Sequence, residues 1–548
     1  MKNKSRLYVW APLIGAVLFV GGLWVGYLIA GGDRMTPGQE KLQDIYRIIE
    51  EEYVDEISTD SLIEMTIPEL LKNLDPHSMY IARKDLDRVN RDLESSFYGV
   101  GIQFQLMSDT ICVVEIVPGG PAERAGMMAG DRIVAVDGRP MTGKKITTDD
   151  VLSTLRGDKD TKVTLTVRRS GSHKPLKFEL TRGEIPSKSV TASYMTDGDI
   201  GYVRVSKFAQ NTYAEFLQAI NSLRTRGAKS FILDLRGNSG GLLDQAILMA
   251  NEFLDPYSPI VATKGRNELE NANWVADGTG TFNDVPLIVL TDEFSASSSE
   301  IVTGAIQDND RGLVIGRRTF GKGLVQRAIT LPDSSQMRLT VQRYYTPSGR
   351  CIQKTFTRGE NDSYESEILD RYANGEIFSA DSIKFDPAKV FSTAGGRKVY
   401  GGGGITPDVF IPSDTTGYSS SYLAVANAGL LQKFAYEYAD LNRAELSKAK
   451  DVQQLLRKLP GRDILLSAFV RYAVTNGVPA RWYYINISAN LIVNQLRALI
   501  AGDILGTNAY YEIFNANDPA VRRAVEEIHS GLGVSVAPEP GTEDDSNG

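Results

Sequence analysis

Pro286-Leu287-Ile288-Val289-Leu290-Thr291 leads through Asp292-Glu293 into Phe294-Ser295-Ala296-Ser297-Ser298-Ser299-Glu300. The first run is continuously apolar and short, as a buried strand is. Ser299 to Gln307 follows as a helix. A strand-to-helix turn of this kind exposes a side chain at the end of a sheet and offers the free N–H groups of a helix N-terminus. The same alternation extends in both directions. Ile200 to Val205 reads as a strand, Phe216 to Leu223 as part of a helix, Phe231-Ile232-Leu233-Asp234-Leu235 as a strand, Leu242 to Leu254 as a helix, and Leu313 to Gly316 as the start of further strands. From about Gly201 to Tyr345 the pattern is that of an α/β unit.

The chain has 548 residues, enough for roughly three or four folded units. Gly38 to about Leu93 carries apolar residues at helical spacing (Leu42, Ile45, Ile48, Ile49), with Pro68 and Asp75-Pro76 breaking it into short helices. Ser95 to about Arg169 is a module of short strands. Residues 354–400 are polar and irregular and read as an insertion before Gly401-Gly402-Gly403-Gly404-Ile405. Ser421 to about His529 is helical. The stretch from Ala537 is acidic and rich in Gly and Pro, a composition that cannot bury a core.

Lys2, Lys4 and Arg6 precede an uncharged run from Leu7 to Gly32. Spanning a bilayer takes about 20 residues, so the run is expected to anchor the chain in the cytoplasmic membrane. The basic flank keeps the N-terminus inside and the rest outside the cytoplasm. The competing expectation is a cleaved signal peptide and a soluble periplasmic protein. The length of the run and the lack of a small-x-small site favour the anchor. A net charge of −8 with acids and bases intermixed argues against a nucleic-acid partner. Cys112 and Cys351 have no metal-ligand spacing, and Cys112 in Ile111-Cys112-Val113-Val114 reads as a buried free thiol. No metal or organic cofactor is implied.

Ser297 is the candidate nucleophile, although Ser297 and Glu300 also have the S-x-x-E spacing of a plain capping box. Gly316-Arg317-Arg318-Thr319-Phe320-Gly321-Lys322-Gly323 nearly matches a phosphate-binding loop. Gly323 stands where that loop needs a hydroxyl, and a strand rather than a helix follows. Lys322 taken alone reads as an exposed turn lysine. A serine needs a base, yet the three histidines, His77, His173 and His529, all lie outside Gly201–Tyr345. His77 is assigned to the N-terminal helices, so a Ser-His-Asp triad requires recruitment across domains. A neutral lysine can serve instead: burial lowers its pKa from about 10.4. Phe320 is positioned to shield Lys322 and Gln326 to orient its amine. Asp234-Leu235-Arg236-Gly237-Asn238-Ser239-Gly240-Gly241 closes a strand before a helix. It suits either an anion-binding nest or an ordinary tight turn.

Together these segments resemble the C-terminal (tail-specific) processing peptidase family. Leu74-Asp75-Pro76-His77-Ser78, Tyr345-Thr346-Pro347-Ser348-Gly349-Arg350 and Gly404-Ile405-Thr406-Pro407-Asp408 also match, so the resemblance covers about residues 40 to 412. It implies a Ser–Lys dyad of Ser297 and Lys322, assisted by Gln326. It also implies an oxyanion hole from the Ser298 amide and that of Gly240 or Gly241. The sequence departs from the family at Ser298 and Ser299, where related chains often have alanine.

The β module resembles a PDZ domain, with Tyr98-Gly99-Val100-Gly101-Ile102 as the loop that holds a terminal carboxylate. The family resemblance makes Arg156, in Leu155-Arg156-Gly157, the candidate for an arginine that aligns the catalytic residues. A solvent-exposed helix-end arginine is the alternative. The expected protein is therefore multidomain α+β. Its parts are a cytoplasmic stub and anchor (1–33), a helical region (34–94), a PDZ module (95–185), an α/β (ββα-type) peptidase core (186–412), a helical C-terminal domain (413–536) and a disordered tail (537–548). It is expected to cleave the C-terminal regions of exported proteins with apolar free C-termini, through an acyl-enzyme. The rival is an envelope scaffold that binds tails without cutting them. Family members often assemble as dimers or larger oligomers through their helical ends.

Overall fold

The computed structural model describes Trp10 and residues 15–22, 35–90, 93–107, 110–143, 146–169, 172 and 174–531. Most of the expected anchor, His173 and the acidic tail lie outside the described residues. No helix among the described residues is long and apolar enough to cross a membrane.

Met1–Asn73 forms one compact unit and Leu74–Gly548 another. The first contains helices Pro37–Glu52 and Thr59–Lys72. Pro68 lies inside the second helix rather than breaking it. Proline loses its own N–H bond and crowds the carbonyl four residues before it, and the remaining turns hold the helix. The expected helical region, 34–94, is also interrupted by a strand before helical turns resume at Arg83–Asp85 and Leu86–Asn90. After Asn73 the Asp75 carboxylate accepts from the backbone N–H groups of His77 and Ser78, both at 2.9 Å, and from the Ser78 hydroxyl at 2.5 Å. That turn delivers a strand, Met79–Ile81, antiparallel to Gln336–Tyr345.

The α/β unit is built on six strands in the order Val190–Asp197, Ile200–Val205, Ser230–Asp234, Leu287–Thr291, Leu313–Gly316 and Val409–Phe410. The first pair is antiparallel and the others are parallel. Strand alternation divides its side chains between two cores. Val203, Phe231, Leu233, Leu287 and Val289 pack with the helices Thr212–Thr225, Leu243–Asn251 and Ser298–Asp308. Tyr202, Ile232, Ile288, Leu290 and Ile315 face the other way, onto Ala520, Val521, Ala524 and Ile528. Helix Pro519–His529 therefore belongs to the α/β core, not to the C-terminal helical domain where the sequence put it. A second, antiparallel sheet contains Met79–Ile81, Pro259–Gly265, Ala272–Val275, Leu324–Thr330 and Gln336–Tyr345.

The β module has a sheet ordered Ile102–Met107, Thr110–Ile116, Arg132–Val136, Lys162–Arg168, Leu176–Thr181, with Ile102–Met107 at an edge. Ser96–Gly99 pairs with Gly183–Pro186 at its base. Cys112 is a buried free thiol, packed with Met107 and Tyr436 of the C-terminal helices. Segment 354–400 is more ordered than its polarity suggested: it contains helix Asn361–Ala373 and the strand pair Val390–Ser392 with Lys398–Tyr400.

Ala524 is fully buried beneath the sheet. Ala524→Asp is expected to destabilise the α/β unit by about 3 kcal/mol or more, because the new carboxylate has no partner there. Urea unfolding of the two proteins measures it.

Candidate active site

The site lies at the carboxyl ends of strands Ser230–Asp234 and Leu287–Thr291, where ligands bind in open parallel sheets. Ser297 sits at the N-terminus of helix Ser298–Asp308 with φ 54° and ψ −114°. A non-glycine residue in this region is strained and needs its surroundings to hold it. Part of that support is the glycine turn. The Asn238 carbonyl accepts from the Ala296 N–H at 3.0 Å and the Ser299 hydroxyl at 2.8 Å, and the Ser298 hydroxyl donates to the Gly241 carbonyl at 2.9 Å. The two hydroxyls that depart from the family pattern thus stitch the turns together, and Ser298 is buried. Gly240, at φ 102°, is required by close approach: a Cβ there would stand 2.6 Å from that of Ser297.

Glu300 joins this turn to the lysine turn. Its fully buried carboxylate accepts from the Ser297 N–H (2.9 Å), the Lys322 N–H (2.9 Å), the Gly321 N–H (2.8 Å) and the Thr319 hydroxyl (2.5 Å). Burial pushes its pKa up against the pull of these four donors. The Ser297–Glu300 pair also has the arrangement of a capping box, and the Glu300 N–H donates to the Ser297 carbonyl at 2.9 Å.

The lysine turn is fastened from several sides. The Tyr344 hydroxyl lies 3.1 Å from the Ser297 carbonyl and 2.5 Å from that of Lys322. Thr319 and Ile405 exchange hydrogen bonds, which accounts for the glycine run before Ile405: a Cβ on Gly404 would meet the Thr319 carbonyl at 2.4 Å. The buried Arg371, from the inserted helix, donates to the carbonyls of Thr319 at 2.8 Å and Phe320 at 3.1 Å. Phe320, expected to shield Lys322, has two other partners. Its ring meets the Lys354 ammonium at 4.0 Å and packs edge-on to Tyr364.

Burial lowers the Lys322 pKa, Arg338 lowers it further, and Glu300 and Asp75 raise it. Its ammonium donates to Gln326 Oε1 at 3.4 Å, and Gln326 Nε2 donates to the His77 carbonyl. His77 is therefore beside the lysine turn, not remote in the N-terminal helices. Its imidazole is 2.8 Å from the Tyr364 hydroxyl. Burial and the Lys322 charge push it down to about 4, so it is neutral at pH 7. The turn at Asp75 carries it there, a contact across some 250 residues that no local pattern reports.

The Gly240 N–H donates to Asn238 Oδ1 at 2.9 Å. The Gly241 and Ser298 N–H groups meet no acceptor among the described residues. In the β module, Tyr98 and Gly99 end the base strand, Val100 and Gly101 (φ 79°) form the turn, and Ile102 opens the edge strand. Arg156 ends helix Thr148–Leu155, and its guanidinium lies 4.3 Å over the Phe97 ring.

Comparison with known proteins gives a match to the peptidase family S41 model over residues 199–360, to a PDZ domain over 112–169, and to a family of unknown function (DUF8443) over 421–506. The carboxy-terminal-processing protease of Bartonella bacilliformis is 36% identical over 350 residues, covering 62% of this chain and 80% of that protein. The chain belongs to peptidase family S41. This S41 peptidase is also 35% identical to a probable CtpA-like serine protease of Staphylococcus aureus, over 62% of its own chain and 69% of the other. The solved photosystem II D1 C-terminal processing protease matches at 27% identity and TM-score 0.35, covering 70% of this chain and 95% of that one. The protein is thus a serine-type, carboxy-terminal-processing peptidase with a PDZ domain.

Two outcomes test the site's construction. Glu300→Gln presents an amide group to four donors that need acceptors. Displacing the two turns by an ångström should lower kcat by roughly a hundredfold, measured on an unstructured protein substrate. His77 has a depressed folded pKa, so its contribution to stability is complete above 6.5 and lost as pH falls towards 4. His77→Gln should flatten the fall in denaturation midpoint across that window.

Proposed function

We propose that the protein is a membrane-tethered serine endopeptidase. In this reading it captures flexible C-terminal tails of exported proteins with its PDZ domain and cleaves them through a Ser297 acyl-enzyme, with Lys322 as the base. The observation that carries this reading is Glu300 Oε2 accepting at 2.9 Å from both the Ser297 and the Lys322 backbone N–H. One buried oxygen thereby fixes the spacing of nucleophile and base.

Neutral Lys322 takes the proton from Ser297 as the hydroxyl attacks the scissile carbonyl. The oxyanion is received by the Ser298 and Gly241 amides. Gly241 is preferred to Gly240 because the latter's N–H is already spent on Asn238. Lys322 then protonates the leaving amine, and water releases the acyl group. Gln326, held by the His77 carbonyl, orients the amine without adding charge. A peptide adds to the PDZ edge strand Ile102–Met107 with its carboxylate at residues 98–102. Arg156 gates the site from the PDZ domain. The run Leu7–Gly32 anchors the chain in the cytoplasmic membrane with the catalytic part outside, and the active particle is a dimer or larger assembly. The scaffold reading is disfavoured because Ser297, Lys322 and Gln326 are all retained.

Cleavage of an unstructured protein with an apolar C-terminus should be abolished by Ser297→Ala and by Lys322→Ala, with tail binding kept. Equal cleavage by all three proteins would refute the dyad. Turnover should rise with pH as Lys322 loses its proton. Arg338→Gln removes a positive charge that holds that proton off, so the acid limb of the pH–rate profile should move to higher pH. Arg156→Ala should lower turnover while tail binding is unchanged.

A further inference from the structure

Strand Gln336–Tyr345 serves both the candidate site and a groove beside it. Tyr344 points its hydroxyl at the Ser297 and Lys322 carbonyls. Arg343 and Tyr345, which alternate with it along the strand, line a groove of about 1200 Å³ together with Thr340 and Gln342. The groove wall contains six cations, Lys264, Arg266, Arg343, Lys354, Arg358 and Lys389, and one carboxylate, Asp75.

That carboxylate does not neutralise the wall, since it already accepts from His77, Ser78 and Thr340. Lys354 is paired with Glu367 at 3.1 Å and Lys389 with Asp386 at 3.3 Å. The other four cations have no ion pair among the described residues, and all four are exposed. Lys264 and Arg343 are direct cross-strand partners. Like charges placed opposite each other weaken a sheet; the Tyr345 ring, 5.2 Å from the Lys264 ammonium, offsets part of this. A chain of net charge −8 thus concentrates uncompensated positive charge in one concave place. Such a place focuses field onto an anionic ligand.

The groove also reaches the catalytic lysine turn. Leu324 and Gln353 line it, and Gln353 Oε1 accepts from the Gly323 N–H at 2.9 Å. We infer that this groove is a second substrate-binding surface, separate from the PDZ domain, that takes an extended acidic segment of the polypeptide being cleaved. The inference rests on the peptidase reading above and adds a substrate class to it: proteins whose flexible regions carry Asp and Glu.

The test uses two tail peptides that share an apolar C-terminus and differ in one internal run, Asp/Glu in one and Asn/Gln in the other. Binding is read by fluorescence anisotropy on Ser297→Ala, so no turnover is needed. The acidic peptide should bind at least about tenfold more tightly at low salt and lose that advantage near 0.3 M salt, where the Debye length falls to several ångströms. Lys264→Glu combined with Arg343→Glu should remove the advantage while leaving the neutral peptide's affinity unchanged. With wild type, the acidic peptide should show the lower KM at equal kcat.

Equal binding of the two peptides would overturn the inference. So would an equal loss for both in the charge-reversed protein, or displacement of the acidic peptide by an oligonucleotide of the same charge at lower concentration than by the peptide itself. Failure of wild type to cleave either peptide would count against the peptidase reading alone, because the binding measurement does not depend on it.

Discussion

The buried carboxylate of Glu300 is the interaction on which the rest of the site depends. The proposed nucleophile and base lie on different turns, one at the start of a helix and the other between two strands. Nothing in local sequence fixes the distance between those turns. Four donors from Ser297, Thr319, Gly321 and Lys322 converge on one side chain. Burying a carboxylate is costly unless its hydrogen bonds are satisfied, and here they are. Removal of any donor would leave part of that charge unanswered, so the arrangement holds together as a whole or fails together.

Around this hub the backbone is assembled by close approach. Gly240 lets the glycine turn touch Ser297, and Gly404 lets the glycine run touch Thr319. Tyr344 spans both turns from the second sheet, and Arg371 holds the lysine turn from behind. The inserted segment is therefore part of the frame that presents Lys322. Burial of Lys322 and the nearby Arg338 charge oppose its protonation, while Glu300 and Asp75 limit the effect. The fold tolerates this cost, along with the strained Ser297 backbone, at the proposed site of reaction.

Much of this was legible in the sequence wherever the signal is local. The apolar run Leu287–Leu290 and the turn into helix Ser298–Asp308 gave the strand, the bend and the helix, and the PDZ strands followed from alternation and glycines. Long-range contacts were not legible. His77 was assigned to a helix because Leu74–Ser78 follows a helical pattern, whereas the Asp75 turn carries it to Gln326 and Tyr364. Glu300 read as a capping residue, since three of its four partners lie about twenty residues further on. Helix Asn361–Ala373 was missed because its polar sequence has little apolar periodicity, being held by Tyr364 and Arg371 instead. Helix Pro519–His529 follows a helical domain in sequence but packs on a different core.

The most direct test of the central claim is active-site labelling with a peptidyl phosphonate ester, with the adduct located by mass spectrometry. One adduct is expected, on Ser297 of the wild-type protein, forming faster as pH rises and lost in Lys322→Ala. An adduct on another residue, or labelling of Ser297 at an undiminished rate without Lys322, would contradict it.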